Sequence, residues 1–218
     1  MRQAMRDFYF NSWRLAPANL VWGVGFVVVV LLGLAFLPAS ALVALLAVPL
    51  VGIHRMAALI VRGEPASFSD FTSGMRRFAL PALAMGAGGT VLAVVLTTNV
   101  LFGLAAGNPI GWLISGLALY GLIALAMLLV AFWPILVDPR REVEPVRRRL
   151  WLAAVVVIGR PGRLLVLTAI IVAFLVASTV LLAALLIVSI AYVALVAARY
   201  VLPLSDVLEE RLAARRAP

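Results

Sequence analysis

Three long tracts without a charged residue constrain this chain more than any other feature: residues 15–54, 78–137 and 164–198. A membrane-spanning helix needs about 20 apolar residues to cross about 30 Å of hydrocarbon, so each tract is long enough for two crossings. The chain is also 65% apolar and 12% charged, whereas a soluble domain is about half apolar and a quarter charged. The sequence therefore predicts an all-α fold, a polytopic membrane helix bundle of about six transmembrane helices.

The charged residues predict the topology of this bundle. They fall in four groups, at 2–14, 55–77, 138–163 and 199–216, and the connections between these groups carry no charge. Short arginine-rich loops stay in the cytoplasm, so we expect a multi-pass protein of a bacterial cell membrane with both termini cytoplasmic. The last apolar tract has no Gly or Pro at its centre, which leaves one span or two open there. The expected spans are about 18–37, 40–62, 80–104, 110–134, 163–181 and 184–203.

Two polar segments, at about 67–78 and 145–158, carry apolar residues at the spacing of one helical face. A helix that combines such a face with arginines lies in the membrane interface, where the arginines contact anionic headgroups. We therefore predict two cytoplasmic interfacial amphipathic helices, with lipids of an anionic inner leaflet as partners. The arginines of the second helix also fit a docking surface for a partner protein. The residues expected at these surfaces are Phe68, Phe71, Arg76, Arg77 and Phe78 in the first helix, and Arg147, Arg148, Arg149 and Trp151 in the second.

The first 80 or so residues carry several recognisable motifs. Asn19 and Trp22 open the first span, Leu37 and Pro38 close it, and the stretch LIVRGEPASFSDFTSGMRRF follows the second span. In these motifs the chain resembles the YesL-like bacterial integral membrane proteins, also called the domain of unknown function 624. The resemblance implies a multi-pass membrane protein often encoded beside sugar-uptake systems, with no established activity. It implies no catalytic residues.

The order of span, span and interfacial helix also occurs twice, which suggests an internal duplication.

Charged residues inside a span are functional candidates, because a charge at mid-bilayer costs about 2.5–3.5 kcal/mol on the insertion scale. Arg55 lies within the second span. We expect it either to extend to the headgroups or to pair with an inward-facing partner such as Asp138. The neighbouring His54 fits a packed or interface role, with a proton relay as the alternative.

The third span carries the remaining intramembrane candidates. Gly86, Gly88 and Gly89 are small enough for a second helix to approach closely, and a substrate path beside a flexible helix is the alternative. Asn99 belongs to a small polar group near the outer end of the same span.

Composition argues against several classes of function. The chain has no Cys and one His, and all its basic residues are arginines, so thiol chemistry, a His-rich metal site and a lysine nucleophile are excluded. The positive-inside pattern already explains the net charge of +9, so we expect no nucleic acid partner. There are no paired carboxylates and no Ser-His-Asp set. We therefore expect no enzyme and no catalytic, cofactor-binding or metal-binding residues.

Two functions fit this pattern. The first is an accessory or structural membrane component that acts through protein and lipid contacts, associated with carbohydrate uptake and with sugar-transporter subunits as partners. The second is a small transporter or channel subunit that self-associates and forms a pore around the third span. A carrier needs a polar, water-accessible cavity at mid-depth, whereas the accessory function predicts a closed, apolar bundle.

Overall fold

The computed structural model describes residues 2–214, apart from the side chains of residues 183 and 185, and within that range it contains helices and turns but no β-strand. The arginines at positions 215 and 216, which belong to the last charge group, lie outside the described residues. Six helical segments of the described chain are long and apolar enough to cross a membrane. The predicted all-α, multi-pass helix bundle is therefore confirmed.

Each predicted span falls on a helical segment, although several ends differ. The α-helices are α1 (Arg2–Ala35), α2 (Ala47–Arg62), α3 (Phe68–Ala106), α4 (Pro109–Leu136), α5 (Val146–Gly159), α6 (Pro161–Val180), the short α7 (Leu182–Ala184) and α8 (Ile190–Ala214). Two 3-10 helices (Leu37–Leu46 and Pro139–Arg141) and one π-helical segment (Leu185–Ser189) connect them.

The first helix is much longer than the predicted span of 18–37, because its polar N-terminal part is helical too. Asp7 in this part forms an ion pair with Arg199 of α8 at 2.6 Å. Arg14 donates a hydrogen bond to the carbonyl oxygen of Ala66 at 2.7 Å. These contacts hold the start of α1 against the rest of the bundle.

The second span is composite. Its first part, predicted to begin at residue 40, is the 3-10 helix Leu37–Leu46, and α2 continues from it to Arg62. The 3-10 helix packs closely on α1, since a Cβ added to Gly25 would lie 3.2 Å from the Leu46 side chain.

The first predicted interfacial helix and the third span form one continuous helix, α3. The backbone N–H of Ser67 donates to the Asp70 carboxylate at 2.8 Å, which forms part of a capping box at the start of α3. At about 1.5 Å per residue this helix is about 58 Å long, which exceeds the hydrocarbon thickness of about 30 Å. The prediction of a separate interfacial helix is wrong here, because Pro81 is accommodated inside α3 and no break follows Phe78.

The second predicted interfacial helix is a separate element, α5, with Pro145 immediately before its first residue. It is not purely interfacial, since Leu152, Ala153 and Val156 are buried where α5 packs against α4 and α8. A break at Arg160 separates it from α6, which begins with a proline that lacks a backbone N–H. Only one of the two polar segments is therefore a separate helix, so the local structure does not follow the suggested duplication.

The last apolar tract contains two helices, α6 and α8, that are each long and apolar enough to cross the membrane. The π-helical segment between them leaves backbone groups without their usual partners. The Asn19 side chain of α1 compensates, because it donates to the Leu186 carbonyl oxygen and accepts from the Ala191 N–H, both at 2.7 Å. Gly23 permits this close contact, since a Cβ there would lie 2.9 Å from Leu186.

The core lies on α2 and α8. The α2 helix packs against α1, α3, α4 and α8. Val51, Ile53 and Met56 of α2, with Leu195 and Leu202 of α8, have no exposed surface. Little of the outer helix α3 is buried along its most apolar length, as expected of a surface that contacts lipid, whereas the end of α4 from Ala131 to Leu136 is buried.

Candidate functional site

Buried charge is concentrated at the arginine-rich end of the bundle, around Asp138. This residue follows α4, and its side chain is fully buried. Its carboxylate accepts hydrogen bonds from Arg62 Nε at 3.0 Å and Arg62 Nη2 at 2.5 Å, and it forms an ion pair with Arg141. It also accepts from the backbone N–H of Arg140 at 3.2 Å. Asp138 therefore joins the end of α2 to the loop after α4.

Helix α8 contributes two more acids. Asp206 accepts from Arg62 Nη1 and from Arg141 Nη2, both at 2.6 Å, and Glu209 accepts from Arg141 Nη2 at 3.1 Å. We call Arg62, Asp138, Arg141, Asp206 and Glu209 the charge network. Each of its two arginines bridges the loop carboxylate and a carboxylate of α8.

The protonation of Arg141 follows from these contacts. Burial acts to lower the pKa of its guanidinium, but the hydrogen bond to Asp206 and the charge of Asp138 outweigh burial and raise the pKa. Arg141 therefore stays cationic inside the charge network.

The charge network reaches the surface on the side of α5. Arg148 donates to Glu209 at 2.9 Å, and its side chain is 57% exposed. A shallow depression of about 360 Å³ lies over this region, lined by Arg140, Glu144, Glu210 and residues of the charge network. This depression presents both signs of charge to an approaching partner.

Arg55 pairs inside the protein, but not with the expected residue. It forms an ion pair with Glu142 and donates to the carbonyl oxygen of Val137 at 2.9 Å. Glu142 also accepts from Arg77 at 2.5 Å. The pairing with Asp138 is wrong because Arg62, about two turns further along α2, occupies that carboxylate.

Arg149 is buried, although the sequence placed it at the lipid surface with Arg147 and Arg148. It donates to the carbonyl oxygen of Leu136 and to that of Glu142 at 2.9 Å. The last carbonyl groups of a helix have no hydrogen-bond partner within the helix. Arg149 therefore supplies a donor for the last carbonyl group of α4. Burial lowers the pKa of its guanidinium, and the positive charge of Arg77 adds to this.

The aromatic residues of the first polar segment face protein more than lipid. Phe71 and Phe78 are buried, because this face of α3 packs on α2, where a Cβ at Gly52 would lie 2.7 Å from Phe71. The expected interface stripe is therefore wrong for these two residues, although their shared face was correct. Phe68 is partly exposed and packs on the Phe71 ring at 5.2 Å. The expected interface residues that do lie exposed are Phe68, Arg76, Arg77, Arg147, Arg148 and Trp151.

The small residues of α3 have different environments. A Cβ at Gly86 would lie 2.6 Å from the Ala47 Cβ, so this glycine permits close approach of two helices, as predicted. Gly89 makes ordinary contact with Leu129, whereas Gly88 is exposed and has open space around it. Asn99 is also exposed and donates to the Val95 carbonyl oxygen of its own helix at 3.0 Å. The structure therefore brings none of these residues into the charge network.

His54 lies buried in α2, with its ring stacked on Trp133 at 6.3 Å between centroids. This agrees with the packed role. Within residues 2–214, no group of three or more His, Asp or Glu side chains is placed to hold a metal ion.

Sequence reasoning did not identify Arg62, Arg141, Asp206 and Glu209 as site residues. One signal was present: Asp206 and Glu209 are three residues apart and therefore share a helical face. The partners of that face were not apparent, because Arg141 is distant from it in the chain. The two arginines and three carboxylates of the charge network pair with one another, and Arg148 adds a third cation at Glu209, so its chemistry is that of mutual ion pairing.

No family model, curated protein or solved structure matches this chain. The resemblance to the YesL-like family therefore stays a prediction from motifs. Three features of the molecule bear on its function: the buried apolar core, the charge network and the exposed cations around that network.

Proposed function

We propose that this protein is an accessory component of a membrane assembly, acting through contacts with lipids and with a second membrane protein. The observation that carries the proposal is the apolar, tightly packed centre of the bundle. Val51, Ile53 and Met56 have no exposed surface, and the charged Arg55 beside them is paired with Glu142. A carrier that moves a polar solute needs polar groups around a water-filled path at this depth.

The arginine-rich end supplies the surface for the contacts. Arg76, Arg147 and Trp151 are exposed there. Arginines at such a boundary bind anionic headgroups with about 1 kcal/mol each, and a half-exposed Trp fits the headgroup layer. The charged depression beside α5 offers a polar partner loop both a carboxylate surface and a guanidinium surface.

The resemblance adds a partner class and an orientation to the proposal. Proteins of the YesL-like family are often encoded beside sugar-uptake systems, so the partner is a subunit of a carbohydrate transporter. The arginine-rich end lies in the cytoplasm of a bacterial cell, according to the positive-inside rule.

The second function, an oligomeric transporter or channel subunit, has one feature in its favour. Along its most apolar length little of α3 is buried, and Gly88 leaves open space on that surface. A second copy could pack there and enclose a path between protomers.

Photo-crosslinking in native membranes distinguishes the two functions. Amine-reactive reagents do not suit a chain whose basic side chains are all arginines, so a photoreactive residue replaces Arg147 in one variant and Gly88 in another. We expect the variant at Arg147 to crosslink to a carbohydrate-transporter subunit, identified by mass spectrometry. The crosslink should weaken when Arg140 and Arg148 are both changed to Glu, and should persist when Arg2 and Arg6 are changed instead.

The opposite result would reject the accessory function. Crosslinks between copies at Gly88 alone, together with sugar flux in proteoliposomes that Gly88→Leu abolishes, would favour the oligomeric transporter.

A further inference from the structure

A groove between α1, α6 and α8 lies outside the surfaces that the proposed function uses. The part farther from the arginine-rich end is a cavity of about 390 Å³ with an almost entirely apolar lining that includes Phe8, Phe174, Tyr192 and Val193. The rings of Phe8 and Phe174 pack against that of Tyr192, with centroids 6.1 Å and 5.3 Å away. Packed rings from three helices therefore form the wall of this part.

The part of the groove at the arginine-rich end has a more polar lining. It is a cavity of about 400 Å³ lined by residues that include Gln3, Arg163, Arg199 and Tyr200. Ile170 and Val196 line both parts, so the two cavities form one continuous groove. We call it the α1–α6–α8 groove, apolar inside and cationic at its mouth.

The positive charge at the mouth is not fully balanced by the protein. Arg199 pairs with Asp7 at 2.6 Å, but no acidic side chain within residues 2–214 forms an ion pair with the exposed Arg163. Arg163 also lies in the first turn of α6, which contains no acid. The helix dipole is positive at that end, so an anion beside Arg163 is favoured by both charges.

We propose that the α1–α6–α8 groove binds one anionic phospholipid of the surrounding bilayer, with its phosphate at Arg163 and an acyl chain along Tyr192 and Phe174. From Arg163 to Phe174, α6 rises about 16 Å, comparable with the depth of one leaflet of a hydrocarbon core about 30 Å thick. Guanidinium groups bind phosphate through two parallel hydrogen bonds. A soluble anion would leave the apolar part empty, and a zwitterionic lipid would bring its own cation close to Arg163 and Arg199.

Native mass spectrometry of the delipidated protein in detergent tests this assignment. Phosphatidylglycerol and phosphatidylcholine of the same chain length are titrated separately, and the bound fraction gives each Kd. We expect phosphatidylglycerol to bind more tightly, and Arg163→Gln to weaken its binding about fivefold, as loss of one arginine near an anionic lipid implies. Arg211→Gln removes an equal charge from the exposed last turn of α8 and should leave this Kd unchanged.

A second variant tests the apolar part independently. Val193→Trp places a large ring in the groove and should weaken binding of both lipids, whereas Val94→Trp on the exposed surface of α3 should not. A melting temperature within a few degrees of the parent identifies variants that fold.

Three results would overturn the proposal. The first is equal affinity for the two lipids, and the second is equal weakening by Arg163→Gln and Arg211→Gln, because both indicate unspecific lipid contact. The third is a crosslinked dimer when a photoreactive residue replaces Val193, because a second copy would then occupy the groove. All three outcomes are independent of whether a transporter subunit binds at Arg147.

Discussion

Asp138 is a carboxylate without exposed surface that two arginines neutralise, Arg62 from α2 and Arg141 from the loop after α4. Buried ion pairs add little net stability compared with apolar packing, but removing one partner is costly because the other charge is left unpaired. The pairs of the charge network therefore matter most for the arrangement of α2, α8 and the loop relative to one another.

The first prediction concerns that carboxylate. Asp138→Asn should lower the free energy of unfolding by about 3–5 kcal/mol, because Arg62 and Arg141 lose a shared buried counter-charge. Unfolding in mixed micelles with increasing SDS measures the change. Glu210→Gln is the control, since Glu210 is exposed on α8 beside Glu209 of the charge network and forms no ion pair within residues 2–214. Equal effects of the two substitutions would show that the charge network does not hold the bundle together.

Residue identities predicted which side chains carry charge, but not which of them meet. The sequence indicated that Arg55 needs a partner, because a lone arginine within a span is costly. It did not select Glu142 over Asp138, since that choice depends on where the loop after α4 lies relative to α2. Arg149 was misassigned for the same reason: it follows Arg147 and Arg148 directly, yet it points at the end of α4.

At the scale of an element, α3 shows how a correct pattern can lead to an incorrect environment. The spacing of Phe71 and Phe78 correctly predicted one apolar helical face. Periodicity alone does not distinguish a helical face that contacts lipid from one that contacts another helix, since both environments are apolar. The contact with α2 at Gly52 decides between them.

The second prediction tests this helix contact. Gly52→Ala should destabilise the protein by about 1–3 kcal/mol through overpacking, because its Cβ would meet both the ring and the backbone oxygen of Phe71 at 2.7 Å. Gly88→Ala should be neutral or stabilise by up to about 1 kcal/mol, because its Cβ would meet nothing within 4 Å. The same SDS titration compares them. A neutral Gly52→Ala would mean that α2 and α3 are not in close contact.

The turn before α8 is a second element that its own sequence did not determine. Residues 185–189 are four aliphatic residues followed by a serine, and nothing in them predicts a π-helical segment. The amide of Asn19, distant in the chain, satisfies the Leu186 carbonyl and the Ala191 N–H. The opening of the first span therefore stabilises the turn that makes the last tract a hairpin.

At the scale of the whole molecule, six helices long and apolar enough to cross a membrane join arginine-rich segments that contact one another, as in the pairs Asp7–Arg199, Arg55–Glu142 and Arg62–Asp206. Each helical hairpin returns the chain to the arginine-rich end, where the charge network and the mouth of the α1–α6–α8 groove lie. The orientation of this end in a cell is a prediction from the charge distribution.

The third prediction tests that orientation. Because the chain has no Cys, single cysteines report on location without background. Ser40→Cys and Ala105→Cys should react with a membrane-impermeant maleimide in intact cells. Arg147→Cys and Ala213→Cys should react only after the cells are opened, as gel shifts would show. Labelling of Ala213→Cys in intact cells would contradict six crossings with both ends in the cytoplasm.

The sequence by itself determined the helical membrane fold and the approximate places of the first four spans, because the lack of charge over long tracts and the placement of arginines act locally and do not depend on packing. Tertiary structure alone decided that Phe71 faces α2, that Arg149 is buried at the end of α4, and that Asp138 and Asp206 share two arginines. Such contacts join segments far apart in the chain. Their geometry depends on how the helices pack, which composition and periodicity do not specify.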